Sequence, residues 1–477
     1  MSWLNELAET GLALAYPNVA RELRELRLSQ WRSAEDLRRR SWRSLRASLR
    51  YAYENAPFYR QKLDDAGIRI EDVRSPADLA AVPLTTKAEL RDALAERWPL
   101  STSVPLRGLS RASTTGSSGE PFVFPIDPRA RDIRLAAVFR NIEWYGHRLG
   151  DQNARLWGRA ERPAGGLRAR LASQLERHVL GRRTEILTHD RSRASASLLD
   201  QTALERWAHT LRGGRFKVLD GYVSAEVLLA EHLLATGQRG IGCQAVVSGA
   251  ESLAPEQRKL LERAFGCPIY NRYGASELGF IAHECGHSPD HQLHVNAELL
   301  WLEVVRDGRP AEPGELGEIV ITDLTNRAMP LIRYRLNDLG IQADPEERCP
   351  CGRGLPLLRS VEGRVDELFY LPNGKVLVSH VWHEIFADQE FLSAFRVTQH
   401  RPDLVEVEVV PRYGHVPPER YAALQAWVQA FLPGCTVIWK EVAEIHPEAG
   451  GKRRFARSCV SHEAGACLSA LDAAAIT

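Results

Sequence analysis

Short β-rich runs alternate with helical stretches between about residues 105 and 330, and this alternation is the strongest constraint on the fold. Runs at 216–219 and 245–247 are followed by amphipathic stretches at 225–235 and 254–265. Strands that alternate with helices are typical of α/β architecture. We therefore predict an α/β fold in which β-sheets are flanked by helices.

The pattern changes towards both ends of the chain. Residues 20–64 place apolar side chains at three- and four-residue steps, with arginine on the other faces, which predicts helices. Beyond about residue 365, several strand-like runs accompany one helical stretch. We expect a large unit over 1–364, with a helical segment at about 1–100, and a small α+β unit over 365–477.

The charge balance excludes some classes of function. The chain has 477 residues, with 62 Lys and Arg against 61 Asp and Glu, and a formal net charge of +1. This balance provides no long-range field that attracts polyanions, which argues against a nucleic-acid-binding protein. The sequence shows no secretory signal pattern and no run of about 18 apolar residues. We expect a cytoplasmic protein without a transmembrane segment; its oligomeric state stays open, with a homodimer as one alternative.

Lysine is scarce in this chain. Seven of the 62 basic residues are lysine and the others are arginine, for which a GC-rich genome is the simplest explanation. Arginine stays protonated but cannot replace a compact ammonium where the geometry requires one. Each lysine is therefore worth checking for a specific role. The seven are Lys62, Lys87, Lys217, Lys259, Lys375, Lys440 and Lys452.

A loop rich in hydroxyl side chains precedes one β-rich run. Residues 110–121 read SRASTTGSSGEP and contain two glycines but no lysine. Small residues let backbone N–H groups turn towards an anion, and hydroxyls add further donors, so this loop can wrap phosphates. The Gly-Lys-Ser/Thr ending of a Walker loop is missing. The alternative is an ordinary flexible surface loop.

Four later segments follow in order: GAES at 249–252, YNRYGASELG at 270–279, IRYRLNDL at 332–339 and VEGRVD at 361–366. With the hydroxyl-rich loop, their order and spacing resemble the adenylate-forming (acyl-CoA synthetase) superfamily. More narrowly, the chain resembles the phenylacetate–CoA ligase-like branch, which includes capsular-polysaccharide-type members. The resemblance extends from YAYENAPFYRQKL and VPLTTKAEL near the N-terminus to GGKRRF at 450–455.

This resemblance implies an AMP-binding adenylation domain over 1–364 and a mobile C-terminal lid domain over 365–477. It also implies which residues bind ATP. The residues implied around the β- and γ-phosphates are Ser113, Thr114, Thr115, Gly116, Ser117, Ser118 and Gly119. Those implied around the adenine and the rest of the nucleotide are Gly249, Ala250, Glu251, Asn271, Arg272, Tyr273 on the adenine face, Gly274 and Arg364.

The same resemblance implies specific roles for three polar side chains. Ser276 contacts the α-phosphate, and Glu277 binds Mg²⁺, which neutralises charge on the triphosphate. Asp338 accepts hydrogen bonds from the ribose hydroxyls. Two positions depart from the family pattern. Glu120 adds an acid beside the phosphate loop, and Asn337 stands where glycine is usual.

Lys452 lies in a glycine-flanked segment, and the resemblance implies that it is the lysine of the adenylation step. Carboxylate attack on ATP brings two anions together, and a flexible ammonium can bridge the acyl oxygen and the α-phosphate. The alternative is a solvated basic turn, because Arg453 and Arg454 follow directly. The resemblance further implies that the small domain rotates between the two chemical steps about a hinge near 363–366.

Cysteine and histidine concentrate in two segments. Residues 285–294 provide one thiol and three imidazoles, and residues 349–351 provide two more thiols. Four N and S ligands from two loops suit a closed, tetrahedral, structural zinc site. Free thiols in polar loops are the alternative. The ligands we choose are Cys285, His291, Cys349 and Cys351, and the rival imidazoles are His287 and His294.

In this superfamily the carboxylic acid lies between the adenine segment and the neighbouring helices. Aromatic walls would favour an aryl or arylalkyl acid, whereas ordinary core packing is the alternative for each ring. The candidate lining residues are Trp144, Tyr145, Trp157, Tyr222 and Ser224.

The sequence thus predicts an ATP-dependent ligase that activates a carboxylic acid as acyl-AMP, releases pyrophosphate and transfers the acyl group to CoA. An amine, a hydroxyl or a carrier-protein thiol is an alternative acceptor, and transfer of AMP itself is an alternative reaction. A third hypothesis is a non-catalytic scaffold with the same fold. Glu277, Asp338 and Lys452 argue against the scaffold.

Overall fold

The structure is a computed structural model. The residues that it describes are 3–95, 101–105, 107, 109–113, 122–157, 192–195, 201–364, 369–373, 376–377, 380–386, 389–446 and 454–460. Several predicted residues therefore lie outside the described residues: the phosphate-binding set Thr114, Thr115, Gly116, Ser117, Ser118 and Gly119, the adjacent Glu120, and the adenylation lysine Lys452. The side chains of Trp157 and Arg364 and the hinge residues 365–366 also lie outside them.

The described helices and strands alternate over most of the chain. The helices are α1 Trp3–Ala15, α2 Pro17–Ser29, α3 Ala34–Asn55, α4 Pro57–Asp65, α5 Lys87–Ala95, α6 Pro128–Glu143, α7 Gln201–Gly213, α8 Val223–Ala235, α9 Pro255–Phe265, α10 His380–Phe386 and α11 Pro418–Phe431. Short 3₁₀ turns lie at Ile70–Asp72, Pro76–Ala81 and Pro289–His291.

In chain order, the first fourteen described strands are β1 Ser110–Ser113, β2 Val123–Ile126, β3 Gln152–Trp157, β4 Ser192–Ser195, β5 Phe216–Tyr222, β6 Ala245–Gly249, β7 Ile269–Ala275, β8 Gly279–Glu284, β9 Leu293–Val295, β10 Leu300–Arg306, β11 Arg309–Pro310, β12 Leu316–Asp323, β13 Tyr334–Gln342 and β14 Leu357–Arg364. Those that follow are β15 Phe369–Tyr370, β16 Val376–Leu377, β17 Leu392–Arg401, β18 Leu404–Pro411, β19 Thr436–Glu441 and β20 Ala456–Ser458.

Twelve of the described strands form one sheet, in the order β11-β10-β12-β13-β14-β9-β8-β7-β6-β5-β3-β4. The block from β4 to β7 is parallel, and the strands from β7 to β11 pair antiparallel. Helices α7, α8 and α9 bury Leu211, Leu229 and Leu261 against the parallel block. A parallel sheet needs such cover because its strands are apolar on both faces, and all five residues of β6 are buried. The predicted α/β fold is confirmed.

The N-terminal helices pack on the large sheet and on α6. Leu37, Leu45 and Leu49 recur along α3 at helical spacing and are buried, so the apolar stripe faces the core. The helix starts at an N-cap, where the Ser33 hydroxyl accepts a hydrogen bond from Asp36 N at 3.2 Å. The helices predicted within residues 20–64 are therefore present.

A separate four-stranded sheet has the order β19-β18-β17-β20 and its own apolar core. Val405, Val407 and Val409 alternate along β18 and are fully buried beside Trp382 of α10. This is the arrangement expected for the small unit, while its boundary at 364/365 and its rotation stay predictions. Among the described helices, none has the length and apolar character that crossing a membrane requires.

Candidate functional site

Strands β5, β6 and β7 end at the same edge of the sheet, where the predicted nucleotide segments meet. Tyr222 pairs with Gly249 and Gly249 pairs with Arg272, so β5 and β6 finish side by side and β7 continues to Ala275. In open α/β sheets, ligands bind outside the carboxyl ends of parallel strands. The predicted adenine segment from Gly249 and the segment containing Glu277 both leave the sheet at this edge.

The adenine segment is tied to the start of α8. Ala250 adopts a left-handed conformation with φ 64°, which turns the chain sharply as it leaves β6. The Glu251 carboxylate then accepts hydrogen bonds from Ser224 N at 2.7 Å and Ser224 Oγ at 3.0 Å. A carboxylate at a helix N-terminus is stabilised by the free N–H groups there. One predicted pocket residue, Ser224, therefore holds one predicted adenine residue, Glu251.

Two residues predicted to bind the nucleoside are joined directly. The Tyr273 hydroxyl of β7 donates to Asp338 Oδ2 of β13 at 2.6 Å. Asp338 also lies opposite Arg364 of β14 in the strand pairing. Asn337 precedes it with φ 61°, a conformation that glycine adopts freely and asparagine tolerates better than most residues. The unusual asparagine in this segment therefore has a backbone explanation.

Glu277 is nearly buried, with its side chain 8% exposed, and two groups contact it. The Tyr334 hydroxyl donates to Glu277 Oε1 at 3.1 Å, and Lys87 Nζ lies 3.6 Å from the same oxygen. Neither Tyr334 nor Lys87 was selected from the sequence as a site residue. The available signals were the scarcity of lysine and the position of Lys87 in the VPLTTKAEL segment.

Arg272 lies beside the predicted adenine segment, because it pairs with Gly249 in the sheet. Its guanidinium donates to Asp220, which also lies 3.3 Å from Arg155 Nε, and it stacks over the Phe280 ring at 4.1 Å. A Cβ on Gly249 would lie 3.2 Å from the Arg272 carbonyl oxygen. The close approach therefore favours glycine at 249. The structure places the Arg272 side chain in a buried ion pair and its backbone beside the predicted nucleotide segment.

The aromatic residues proposed for the acid pocket separate into two groups. Tyr222 is buried at the carboxyl end of β5. The Tyr145 ring instead stacks on Tyr270 at 4.4 Å and its hydroxyl donates to Glu284 O at 3.1 Å, while Trp144 packs edge-on against His294 at 5.5 Å. The contacts of Trp144 and Tyr145 therefore match the alternative, ordinary core packing. The side chain of Trp157 lies outside the described residues.

A second cluster gathers three thiols and one imidazole. The ligand atoms of Cys285, His294, Cys349 and Cys351 all lie within 4.8 Å of one another. Cys285 Sγ is 3.5 Å from Cys349 Sγ, and Cys351 Sγ is 3.4 Å from His294 Nε2. Three sulfur donors and one nitrogen donor at this spacing match the donor set of a structural zinc site.

The structure corrects the choice of His291 for this cluster. His291 follows the left-handed Asp290, its side chain is 58% exposed, and its Nδ1 lies 2.6 Å from Glu284 Oε1. His294 is fully buried on β9 and points to the thiols instead. His287 is exposed. The rival imidazole at 294 is therefore the fourth member.

Proton affinities inside the cluster are strongly shifted. Burial lowers the pKa of His294, but hydrogen bonds with the three surrounding thiols outweigh it and raise the pKa to about 11. Burial raises the pKa of Cys351, but the contributions of His294, Arg353 N and Cys349 together outweigh it and lower the pKa to about 5. Cys351 therefore has the thiolate character that a metal ligand needs, whereas His294 would have to release its proton to bind a metal.

The cluster also supports the docking of the N-terminal helices. Gln30 Oε1, at the end of α2, accepts hydrogen bonds from Trp144 Nε1 at 2.9 Å and Arg353 Nε at 3.0 Å. The Arg353 guanidinium lies 4.8 Å from the Trp31 ring and 4.4 Å from the Trp144 ring. The turn that carries Cys349 and Cys351 is therefore held between α2 and the core.

One buried carboxyl near the site has a pH-dependent effect on stability. Glu226 of α8 is fully buried and accepts a hydrogen bond from Ser248 Oγ at 2.5 Å. Burial, helped by Asp220 and Glu251 and opposed by Ser248 and Arg272, raises its pKa from 4.5 to about 8. The folded state then holds this proton more tightly than the unfolded state. Stability must fall as the pH rises from 4.5 to about 8.

Replacing Glu226 with glutamine should remove this dependence. Between these pH values, the free energy of unfolding of Glu226→Gln minus that of the wild type should increase by about 1.4 kcal/mol per pH unit. Denaturant titrations at several pH values measure it. Glu256→Gln, an exposed position on α9, is the control. An equal difference at every pH would show that Glu226 is not held in the neutral form.

Known proteins resemble the chain in both sequence and fold. Phenylacetate-coenzyme A ligase of Escherichia coli (strain K12) is 28% identical over 360 residues, 74% of this chain and 77% of that protein. The Aromatoleum evansii phenylacetate-coenzyme A ligase is 27% identical over 345 residues, 71% of this chain and 73% of that protein. No protein-family model matches the chain.

A solved structure of 2-hydroxyisobutyryl-CoA ligase, in the postadenylation state with 2-HIB-AMP, superposes with a TM-score of 0.69. It is 21% identical in sequence, and the superposition covers 88% of each chain, which shows a shared fold. The sequence matches and the order of the segments at the strand ends agree with this fold. In sequence the chain is similar to phenylacetate-coenzyme A ligases, and in fold it is similar to 2-hydroxyisobutyryl-CoA ligase.

Proposed function

We propose that the protein is an acid–CoA ligase that activates a carboxylic acid as acyl-AMP and passes the acyl group to CoA. The observation that carries this proposal is the meeting of the predicted nucleotide segments at one sheet edge. There Tyr273 donates to Asp338, Ser224 fixes Glu251, and Glu277 lies where β7 ends. The names of the sequence relatives, phenylacetate-coenzyme A ligases, support the same reaction class.

The proposed reaction has two chemical steps. In the first, a carboxylate oxygen of the acid attacks the α-phosphorus of ATP, and pyrophosphate leaves with the electron pair of the broken P–O bond. In the second, the CoA thiolate attacks the acyl carbon, the C–S bond forms, and AMP leaves with the bridging oxygen. Both steps bring anions together, so positioned donors and cations lower their barriers.

Different residues of the chain would bind the phosphates, bind the ribose and stabilise the transition state. Ser113 and the hydroxyl-rich loop that follows would hold the β- and γ-phosphates, and Ser276 would contact the α-phosphate. Asp338 would accept from the ribose hydroxyls, with the Tyr273 hydroxyl fixing its orientation. Lys452 would bridge the acyl oxygen and the α-phosphate, and would leave with the small domain after acyl-AMP has formed.

Glu277 fits a magnesium ligand. It is a nearly buried carboxylate at the strand edge, and its two neighbours, Tyr334 and Lys87, approach a single oxygen, Oε1. Mg²⁺ bound there would neutralise charge on the triphosphate. Carboxylate oxygen is the ligand type that Mg²⁺ prefers.

The cluster of Cys285, His294, Cys349 and Cys351 fits Zn²⁺ in a structural role. Four protein ligands complete a tetrahedral shell and leave no position for a substrate or a reactive water. The ion would fix the 349–354 turn against α2. A thiol-rich metal site and the use of ATP and CoA favour the cytoplasm as the compartment.

A panel of carboxylic acids tests the proposed reaction. The purified protein is incubated with ATP, Mg²⁺ and single acids, including phenylacetate and 2-hydroxyisobutyrate, with and without CoA. We expect at least one acid to give AMP, pyrophosphate and an acyl-CoA that mass spectrometry identifies. Adenylate formation without consumption of CoA would instead favour an amine, hydroxyl or carrier-protein acceptor. No ATP turnover with any acid would favour the scaffold hypothesis.

A further inference from the structure

The segment that carries Lys87 is fixed to the strand that carries Asp338. Thr85 N donates to Arg333 O at 2.9 Å, and Arg335 N donates to Thr85 O at 2.9 Å. Thr85 therefore pairs with the start of β13 as a short parallel bridge. Helix α5 begins at Lys87, two residues further on, so this lysine leaves from a backbone position that the large sheet defines.

The Lys87 ammonium lies between the Glu277 carboxylate and the Phe122 ring. On one side is the Glu277 carboxylate, with Oε1 3.6 Å from Nζ. On the other side is the Phe122 ring, whose centroid is 5.8 Å from Nζ. Phe122 is the first described residue after the hydroxyl-rich loop. The side chain of Lys87 is 29% exposed, so the ammonium can still reach a ligand.

Charge balance at this position changes when a nucleotide arrives. Glu277 and Lys87 now form an ion pair, and Tyr334 donates to the same carboxylate. A Mg²⁺ ion on Glu277 would repel the ammonium, while a phosphate beside it would attract the ammonium. A lysine side chain is flexible and compact, so a small rotation suffices to exchange one anion for another.

We propose that Lys87 binds the α-phosphate of ATP, acyl-AMP and AMP, and that it is a second active-site ammonium besides Lys452. This inference rests on the proposed function. Lys87 belongs to the large unit and is anchored to β13. It would therefore stay at the phosphate when rotation of the small domain removes Lys452.

This position gives Lys87 a role in the second step. When the CoA thiolate attacks the acyl carbon, the C–O bond to the phosphate breaks and its electron pair moves onto AMP. The ammonium of Lys87 neutralises the charge that develops on this leaving oxygen, and no proton is transferred. Lys452 would act on the first step, and Lys87 would act on both.

Nucleotide binding gives the first test and does not depend on knowing the acid. Calorimetry measures AMP and Mg·ATP binding to the wild type, Lys87→Met and Lys62→Met. Lys62 is a matched control because it also pairs with a carboxylate, Glu89 at 2.5 Å, and lies over an aromatic ring, Phe58 at 5.5 Å. We expect Lys87→Met to bind AMP about 10- to 100-fold more weakly, and Lys62→Met to match the wild type.

The second test separates the two chemical steps. With the acid selected by the panel, its synthetic acyl-AMP is mixed with CoA, and thioester formation is followed in Lys87→Met and Lys452→Met. We expect Lys87→Met to slow this step at least about 10-fold and Lys452→Met to leave it near the wild-type rate. Thermal melting confirms that the variants are folded, and Lys87→Gln provides the same comparison where Lys87→Met is unstable.

The outcomes distinguish the inference from the proposed function. Wild-type AMP affinity in a folded Lys87→Met would overturn the role of Lys87 and leave the ligase proposal intact. A wild-type protein that binds neither AMP nor Mg·ATP would overturn the ligase proposal itself. Weak AMP binding in Lys87→Met but not in Lys62→Met supports the inference.

Discussion

Replacing Lys452 with alanine should lower the rate of acyl-AMP formation at least about 100-fold while leaving Mg·ATP affinity nearly unchanged. The ammonium acts where the acid carboxylate approaches the α-phosphate, and this repulsion exists only along the reaction path. Loss of the ammonium should therefore appear in the rate and not in ground-state binding. Acid-dependent exchange between ATP and pyrophosphate measures the rate, and calorimetry measures the affinity.

Two variants make this result specific. Lys452→Arg retains the charge but replaces the compact ammonium with a planar guanidinium, so we expect it to remain impaired. Lys440→Ala removes a lysine of β19 that pairs with Glu406 at 2.8 Å and should have the wild-type rate. Exchange at the wild-type rate in Lys452→Ala would contradict the assignment of this lysine to the first step.

Removing one thiol of the metal cluster should have the largest effect on stability. We expect the wild type to contain one zinc ion per chain and Cys349→Ser to lose it, with the melting temperature about 10 °C lower or more. Cys349 is buried beside Cys285, and its turn holds Arg353 between two tryptophans. Without the ion, the contacts that Arg353 makes with Gln30 and Trp31 would lose the support of a fixed turn.

A pair of histidine variants tests the ligand set directly. His294→Ala should lose zinc and stability as Cys349→Ser does, whereas His291→Ala should retain both because its imidazole faces Glu284. Metal content is measured by mass spectrometry of the purified proteins, and stability by thermal melting. A wild type without zinc, or zinc retained in His294→Ala and lost in His291→Ala, would contradict the proposed cluster.

The parts of the fold that follow local rules could be predicted from sequence. The alternation of strands and helices over 216–265 gave the parallel block, and the helical periodicity of α3 gave its buried stripe. The order of the motifs indicated which segments share the strand ends. These properties depend on side-chain periodicity and on chain order, and both can be read directly from the sequence.

The sequence did not decide between the alternatives where distant segments meet in space. His291 and His294 are three residues apart in sequence, and only the left-handed turn at Asp290 and the start of β9 decide which imidazole faces the thiols. Trp144 looked like a pocket wall, but its partners are Gln30 and His294, far away along the chain. Such contacts depend on tertiary packing and leave no periodic signal.

Lys87 shows why a local sequence signal is not sufficient to place a residue at the site. The VPLTTKAEL segment, which contains Lys87, is part of the family resemblance, and lysine is rare in this chain. No local sequence pattern, however, connects Lys87 with Glu277. The connection is made by β13, which pairs with Thr85 on one side and presents Tyr334 to Glu277 on the other. An interior strand of the large sheet thereby brings an N-terminal residue to a site built mainly from the centre of the chain.

The fate of the carboxylate oxygen tests the central claim most directly. The acid selected by the panel is prepared with heavy oxygen in its carboxylate and incubated with ATP, Mg²⁺, CoA and the wild-type protein. If the carboxylate attacks the α-phosphorus and the thiol then displaces AMP, one heavy oxygen must appear in AMP, and mass spectrometry will find it there. AMP without the label, or label in inorganic phosphate, would contradict acyl-adenylate formation.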